Sequence, residues 1–103
     1  MKIVLNSRKG LYAATGEYNL ETGEVKVYKN STVSEQIAYS DKFRGANTIE
    51  KYRKDKVEKN KLKKDMVFKS LSTAANFVTG RSTNGLIAWK TEDGKKIKDI
   101  LKK

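Results

Sequence analysis

A short polar stretch, Arg81-Ser82-Thr83-Asn84, contains the residues of this sequence best suited to binding an anion. Gly80 and Gly85 flank it, which gives a superficial resemblance to the GxxxxG of a phosphate-binding loop. A nucleotide-hydrolysing loop requires Lys and then Ser or Thr after the second glycine. Leu86 and Ile87 follow here, which excludes such a loop. Free amides and Arg81 still suit one backbone phosphate, and the alternative is a plain connection between a helix and a strand.

Trp89 and Lys90 extend this candidate site, and Trp89 is the only tryptophan of the chain. An exposed tryptophan would offer a stacking platform, or the wall of a pocket, for a base. The alternative is a core residue, which is the commoner fate of a lone tryptophan in a small domain.

A second cationic candidate is the run from Lys51 to Lys64, which has eight cations and two acids. We assign Lys51, Arg53 and Lys54 to phosphate contact. Arg53 is the strongest of these, because a guanidinium binds phosphate bidentately and lysine does not. The alternative is a solvated helix face.

The charge of the whole chain points to the same class of partner. Twenty-three Lys and Arg against 12 Asp and Glu give a net charge of +11 and an isoelectric point near 9.9. Such a field attracts polyanions, although a lysine-rich proteome would give the same composition without that function.

The composition argues against an enzyme. There is no cysteine and no histidine, which removes thiol nucleophiles, Cys/His zinc sites, disulfides and histidine bases. No carboxylate pair has the spacing of an acid and a base. Glu92-Asp93-Gly94 lacks the alternating oxygen ligands and distal Glu of a calcium loop, so we predict a turn. We expect no cofactor, no metal and no catalytic residue.

The first half of the chain predicts strands. Lys2–Asn6 is a short first strand, and Leu11–Tyr18 and Glu24–Lys29 form a hairpin around the Gly-containing loop 19–23. Thr32–Tyr39 is a further predicted strand. An irregular polar segment, 40–46, then leads to a helix that starts at Thr48.

The second half predicts two more helices and the remaining strands. Asn47 and Glu50 fit a capping box for the helix from Thr48, which carries Val57 and stops at a left-handed Asn60. A strand ending at Phe68 precedes a helix that Ser70 or Ser72 caps and Gly80 ends. Asn84-Gly85 predicts a tight turn, and we expect a strand over 86–90. Spacing of Ile97, Ile100 and Leu101 suggests a short closing helix.

These elements predict one α+β domain over 1–103, with an antiparallel sheet of four or five strands. Two helices, and a short C-terminal third, pack on one face of the sheet. The N-terminal apolar run is too short for a signal peptide or a membrane span. We expect a cytoplasmic protein with no membrane partner.

Phe68–Gly85, followed by Trp89 and Glu92-Asp93-Gly94-Lys95, resembles an uncharacterised bacterial domain family. Its pattern is roughly "SPSAAA-x-x-V-x-GRS-x-NG-x-x-x-W", ending in "DGK-x-L". Members of that family follow GIY-YIG nucleases or accompany adenine methylases and restriction enzymes. The likeness extends loosely from Leu11 to Leu101. Lys56 stands where the family has leucine, and Asn30 and Asn60 stand where it has glycine, a replacement that left-handed backbone tolerates.

The resemblance implies DNA binding in the setting of restriction and modification, and it supplies no catalytic residue. We therefore expect a non-catalytic DNA-binding accessory module. The alternative is a protein-interaction module that docks onto a nuclease or methylase subunit. RNA is a third option without a supporting motif.

Overall fold

A computed structural model describes residues 1–7, 9–35 and 46–101, and for residues 46–48 it describes the backbone alone. Four strands form an antiparallel sheet: β1 (Lys2–Asn6), β2 (Ala13–Tyr18), β3 (Val25–Val27) and β6 (Met66–Phe68). Their order is β1-β2-β3-β6. A separate two-stranded sheet pairs β4 (Val57–Glu58) with β5 (Lys61–Leu62). The helices are α1 (Ala46–Arg53), α2 (Leu71–Thr79), α3 (Gly85–Ala88) and α4 (Ile97–Leu101).

Alternation along the strands decides which face of the main sheet is covered. Ile3 and Leu5 of β1 are buried, as are Val25 and Val27 of β3, while Lys26 between them is exposed. Successive side chains of a strand point to opposite faces, so these four residues lie on one face. That face packs against α2, which contacts β2, β3 and β6.

Helix α2 has the boundaries that its sequence signals predicted. Ser70 accepts a hydrogen bond from the Thr73 amide at 3.1 Å and caps the N-terminus. Gly80, with φ 74°, ends the helix in the left-handed conformation, and its amide donates to the Asn76 carbonyl. The helix buries a face that contains the small residues Ala74 and Ala75 and the large residue Phe77. Of the two serines considered, Ser70 is the cap.

The fold class is confirmed: the chain is a small α+β domain with an antiparallel four-stranded sheet, a second small sheet and several short helices. The hairpin of β2 and β3 is also confirmed, with Gly23 at φ 81° in its loop. So are the first strand, the turn at 92–94 and the closing helix α4, of which Ile97 is buried. In the part of the chain that is described, no helix has the length and apolar composition needed to cross a membrane.

The predicted helix from Thr48 to Asn60 is wrong in its extent. Helix α1 begins at Ala46 and ends at Arg53, and Val57 lies on β4. Asn60 is left-handed, with φ 66°, but it forms a hairpin turn with Lys59, whose φ is 50°. Two successive residues with positive φ give the turn twist that suits a two-residue hairpin. The side chain of Asn47, and with it the capping box, lies outside the described residues.

The predicted strand over Thr32–Tyr39 is not found in its described part, 32–35. Thr32 forms isolated bridges to Ala13 and Lys61, and Val33 and Ser34 are buried without belonging to a strand. Residues 36–39 lie outside the described residues, as does the predicted irregular segment over 40–45.

The predicted strand over 86–90 is also wrong. Gly85–Ala88 forms the helical turn α3, and Asn84 caps it by accepting from the Leu86 amide at 3.0 Å. A Cβ on Gly85 would lie 2.2 Å from the carbonyl carbon of Leu71. Glycine is therefore required here for close packing of α3 on the start of α2.

Candidate nucleic-acid interface

A shallow groove of about 490 Å³ lies where the β1–β2 turn meets α3 and the start of the α2–α3 loop. Of the described residues that line it, three are cations and none is a carboxylate. We call it the cationic groove. The residues that line it are Leu5, Asn6, Ser7, Lys9, Leu11, Tyr12, Arg81, Ile87, Ala88 and Lys90.

The β1–β2 turn forms one wall of the cationic groove and is internally hydrogen-bonded. The Ser7 amide donates to the Tyr12 carbonyl at 3.0 Å, and the Gly10 amide donates to the Ser7 carbonyl at 3.2 Å. Gly10 has φ 72°, a left-handed conformation that glycine adopts without a steric cost. This geometry presents Lys9 and Leu11 to solvent, and Leu11 is 63% exposed.

The α2–α3 loop supplies Arg81 and is fixed from beneath. The Thr83 amide donates to Asn76 Oδ1 at 2.8 Å, and the hydroxyls of Thr79 and Thr83 lie 2.7 Å apart. Both hydroxyls also donate to the Arg81 carbonyl. Arg81 and Ser82 are exposed above this network. The loop is therefore held rigid while its cation faces outwards.

Thr83 and Asn84 have clear structural partners. Thr83 belongs to the network that fixes the loop, and Asn84 caps α3. The Gly85 amide donates to Ser72 Oγ at 3.1 Å, which joins α3 to the first turn of α2. Ser82, Thr83 and Asn84 lie next to Arg81 in the chain, but none of them lines the cationic groove.

Trp89 lies in the core. Its side chain is fully buried, and its indole Nε1 donates to the Leu71 carbonyl at 3.0 Å. Trp89 is therefore a core residue, which was the alternative to a stacking platform. Neither face of its ring is open for stacking on a base. Lys90 follows Trp89 and pairs with Val4 of β1 through backbone hydrogen bonds of 2.7 and 2.9 Å. The pairing fixes Lys90 at the edge of the cationic groove, where it is exposed.

Arg53 is directed into the protein, unlike the solvent-facing phosphate contact that the sequence suggested. Its guanidinium donates to the Phe77 carbonyl at 2.6 Å through Nη2 and to the Ser34 carbonyl at 2.8 Å through Nη1. The Phe77 carbonyl lies in the last turn of α2, where carbonyls lack helical partners. The cation also lies 5.7 Å from the centre of the Phe77 ring. This geometry gives Arg53 a structural role: it closes the C-terminal end of α2.

Lys51 and Lys54 are exposed, and they line a different depression, together with Arg53. Three carboxylates, Glu35, Glu50 and Asp55, line the same depression. Opposite charges offset one another there, so this surface attracts a polyanion less than the cationic groove does. The rest of the lysine run lies on the turn after α1, on the β4–β5 hairpin and between β5 and β6.

A third depression, of about 550 Å³, lies at the β2–β3 loop and is acidic. Among the described residues, Glu17, Glu21 and Glu24 line it, and the cations that line it with them are Lys26 and the ammonium of Met1. It lies at the end of the β1–β2 pair where Lys2 faces Glu17, whereas the cationic groove adjoins the end where Asn6 faces Ala13. The two ends of this strand pair therefore differ in sign.

Two groups outside the cationic groove have displaced pKa values. Partial burial, and then the neighbouring Glu17, raise the pKa of Tyr28, whose hydroxyl donates to Glu17 Oε2 at 3.4 Å. A hydrogen bond from the Thr91 hydroxyl lowers the pKa of Asp93 within the 91–95 turn. Within the described ranges, no three carboxylate side chains are grouped as a metal site requires.

Of the nine predicted binding residues, the structure brings Arg81 and Lys90 together in the cationic groove. It places the other seven elsewhere: Ser82, Thr83, Asn84, Trp89, Lys51, Arg53 and Lys54. Sequence analysis missed Lys9 and Leu11. The available signal was Lys9-Gly10 between two predicted strands, which marks an exposed turn; Leu11 was predicted as the first residue of the second strand.

Comparison with known proteins gives one match. The family model described as "Domain of unknown function (DUF4357)" matches residues 3–101, nearly the whole chain. No curated protein and no solved structure is a match for this sequence.

Proposed function

This chain belongs to the DUF4357 family, and we propose that it is a non-catalytic module that binds nucleic acid, with DNA as its ligand. The observation that supports the proposal most strongly is the cationic groove: among the described residues, Lys9, Arg81 and Lys90 line it and no carboxylate does. Cations that neutralise backbone phosphates release counterions and so drive sequence-independent binding.

The rigidity of the groove supports the same function. Arg81 projects from a hydrogen-bonded loop, and Lys90 follows a buried tryptophan and pairs with β1. Less conformational entropy is lost on binding when cations project from a fixed backbone than when they lie on a mobile one. The guanidinium of Arg81 can contact two phosphate oxygens at once, while the two lysines act as point charges.

The proposed setting is restriction and modification, in which the module would accompany a nuclease or an adenine methylase. The support for this setting is the resemblance of Phe68–Gly85 to a family that follows GIY-YIG nucleases. DNA is preferred over RNA on the same ground. A chromosomal ligand would place the module in the cytoplasm. The absence of histidine and cysteine supports a non-catalytic role.

The alternative, docking onto a nuclease or methylase subunit, would use a different surface. Leu20 and Val67 are 59% and 56% exposed and line the acidic depression. Exposed apolar side chains together can mark a protein interface. An exposed apolar patch around Trp89 or Tyr28 would also favour docking, but Trp89 is buried and the Tyr28 hydroxyl donates to Glu17.

The salt dependence of DNA binding tests the proposal. We expect the affinity of the chain for a duplex to fall steeply with salt. In the variant Lys9→Ala/Arg81→Ala/Lys90→Ala, the slope of log K against log salt should become shallower by roughly 0.9 per lost phosphate contact. Fluorescence anisotropy with a labelled duplex across a salt series measures this slope.

The control is Lys61→Ala/Lys63→Ala/Lys64→Ala, which removes the same charge from exposed positions on and after β5. We expect the slope of log K against log salt for this control to change by less than about 0.9, the value for one phosphate contact. Equal changes in the two variants would overturn the groove as the binding site. No binding to duplex DNA at low salt would overturn DNA as the ligand.

A further inference from the structure

We propose that Leu11 is an apolar wedge that enters between base pairs and bends duplex DNA held by the cationic groove; this inference rests on the proposed function. Proteins that bend DNA in this way insert Leu, Ile, Met or Phe between base steps while cations hold the flanking phosphates. The inference specifies the ligand as deformable double-stranded DNA.

The geometry of Leu11 carries the inference. Its side chain is 63% exposed, although it occupies a turn that backbone hydrogen bonds fix on both sides. Exposure of a leucine is common and means little by itself. Here, however, a second exposed aliphatic side chain, Ile87 at 42%, lines the same groove. The two come from separate elements, the β1–β2 turn and α3.

The charges around Leu11 decide between partners. Within the described part of the chain, Lys9, Arg81 and Lys90 share the groove with it and no carboxylate does, so an apolar insertion point is combined with anion attraction. A protein partner of matching chemistry would need an acidic rim around an apolar pocket that accepts Leu11. A duplex offers phosphates on both sides of every base step, which is the repeating pattern that this arrangement fits.

The kind of apolar side chain favours a duplex over a single strand. Single strands are bound by stacking bases on aromatic rings. Trp89, Phe68 and Phe77 are buried, and Tyr12 is the one aromatic side chain among the lining residues. Leucine and isoleucine offer no ring for stacking on a base, but they do act as wedges in a stacked duplex.

Fluorescence energy transfer across a short duplex labelled at both ends tests the wedge. With a flexible TA step at its centre, the duplex should bend on binding, and its end-to-end transfer should rise. Affinity for this duplex should exceed that for a stiff A-tract of equal length by roughly threefold to tenfold. In Leu11→Ala both the bend and the preference should disappear, while binding at low salt persists.

Leu20→Ala is the matched control. Leu20 is 59% exposed on the β2–β3 loop, outside the cationic groove, and its loss should leave both the bend and the preference unchanged. A second variant, Leu11→Asn, keeps the length and branching of the side chain but makes it polar, and it too should abolish the bend. Circular dichroism of each variant verifies that the fold is retained.

The outcomes separate this inference from the function on which it rests. Binding without bending would overturn the wedge and leave DNA binding intact, as would a Leu11→Ala variant that bends the duplex as the original chain does. Loss of the bend in Leu20→Ala as well would also overturn it. Failure to bind any duplex would overturn both proposals.

Discussion

Arg53 and Arg81 show how one residue type serves two purposes in this domain. The guanidinium of Arg53 donates to the carbonyls of Phe77 and Ser34, whereas Arg81 is exposed on the rim of the cationic groove. Both lie in polar sequence, and both were predicted to contact phosphate. Composition around a residue does not reveal which backbone carbonyls will lie near it, because those carbonyls come from distant parts of the chain.

Replacing Arg53 by alanine separates these roles. We expect Arg53→Ala to lower the free energy of unfolding by about 1.5–3 kcal/mol, because carbonyls at the end of α2 lose a charged donor. Urea unfolding followed by circular dichroism measures this change. Lys54→Ala removes an equal charge from an exposed neighbour, and it should stay within about 0.5 kcal/mol of the original chain.

DNA affinity provides the second readout for Arg53. Because its guanidinium is bonded within the protein, Arg53→Ala should reduce affinity no more than Lys54→Ala does. An unchanged stability together with a selective loss of DNA binding would contradict the structural role. It would instead support the phosphate contact that the sequence suggested.

At the scale of elements, short-range signals predicted α2 well and α3 poorly. Ser70 and Gly80 specify the two ends of α2 through contacts within the helix itself, so the sequence contains the necessary information. The segment 86–90 is apolar and too short for its period to distinguish a strand from a helix. Its helical turn depends on the contact of Gly85 with Leu71 and Ser72, which is a tertiary contact.

Dependence on tertiary contacts also explains why the helix predicted over the lysine run is wrong in its extent. A helix from Thr48 to Asn60 was a reasonable prediction from capping and stop signals, and Asn60 is left-handed as predicted. The chain instead ends α1 at Arg53, and Leu62 of the following hairpin is buried in the core. Burial of that leucine is not visible in local periodicity. Two cations of the groove, Arg81 and Lys90, were predictable because they lie in one sequence motif. Lys9 was not, because it comes from the other end of the chain.

The packing of α3 on α2 can be tested by replacing Gly85. A Cβ at this position would lie 2.4 Å from the Ser72 amide nitrogen, and backbone cannot move aside as a side-chain tip can. We expect Gly85→Ala to destabilise the fold by about 1–3 kcal/mol or more, as overpacking does. Thermal unfolding measures the effect as a lower Tm.

Gly23→Asn is the comparison for Gly85. Gly23 has open space around its Cβ position and a φ of 81°, and asparagine tolerates that left-handed conformation. It should lower Tm less than Gly85→Ala does. A Gly85→Ala variant as stable as the original chain would show that α3 can withdraw from α2, and that the glycine is not needed for packing.

On the scale of the whole molecule, the net charge of +11 conceals a difference between two ends. The cationic groove adjoins one end of the β1–β2 pair, and Glu17, Glu21 and Glu24 surround the depression at the other. The four residue steps along β1 separate these ends by roughly 13 Å at the usual rise per residue. A polyanion approaching this molecule is therefore turned so that the groove faces it.

The acidic end should reduce affinity for DNA at low salt. Neutralising it with Glu17→Gln/Glu21→Gln/Glu24→Gln adds three units of positive charge while keeping polar side chains. The Debye length is about 8 Å at physiological ionic strength and about 30 Å at 0.01 M. We therefore expect duplex affinity to rise several-fold at 0.01 M salt, and by less than about twofold at 0.15 M.

Anisotropy titrations at the two salt concentrations measure the effect, and the triple variant of the cationic groove provides the contrast. Lys9→Ala/Arg81→Ala/Lys90→Ala should weaken binding at both concentrations, because in the proposed complex the three removed cations would contact the phosphates directly rather than act across the molecule. A glutamine variant that strengthens binding equally at 0.01 M and 0.15 M would mean that DNA lies against the β2–β3 loop. The groove would then be at the wrong end of the domain, since only short-range contact escapes screening.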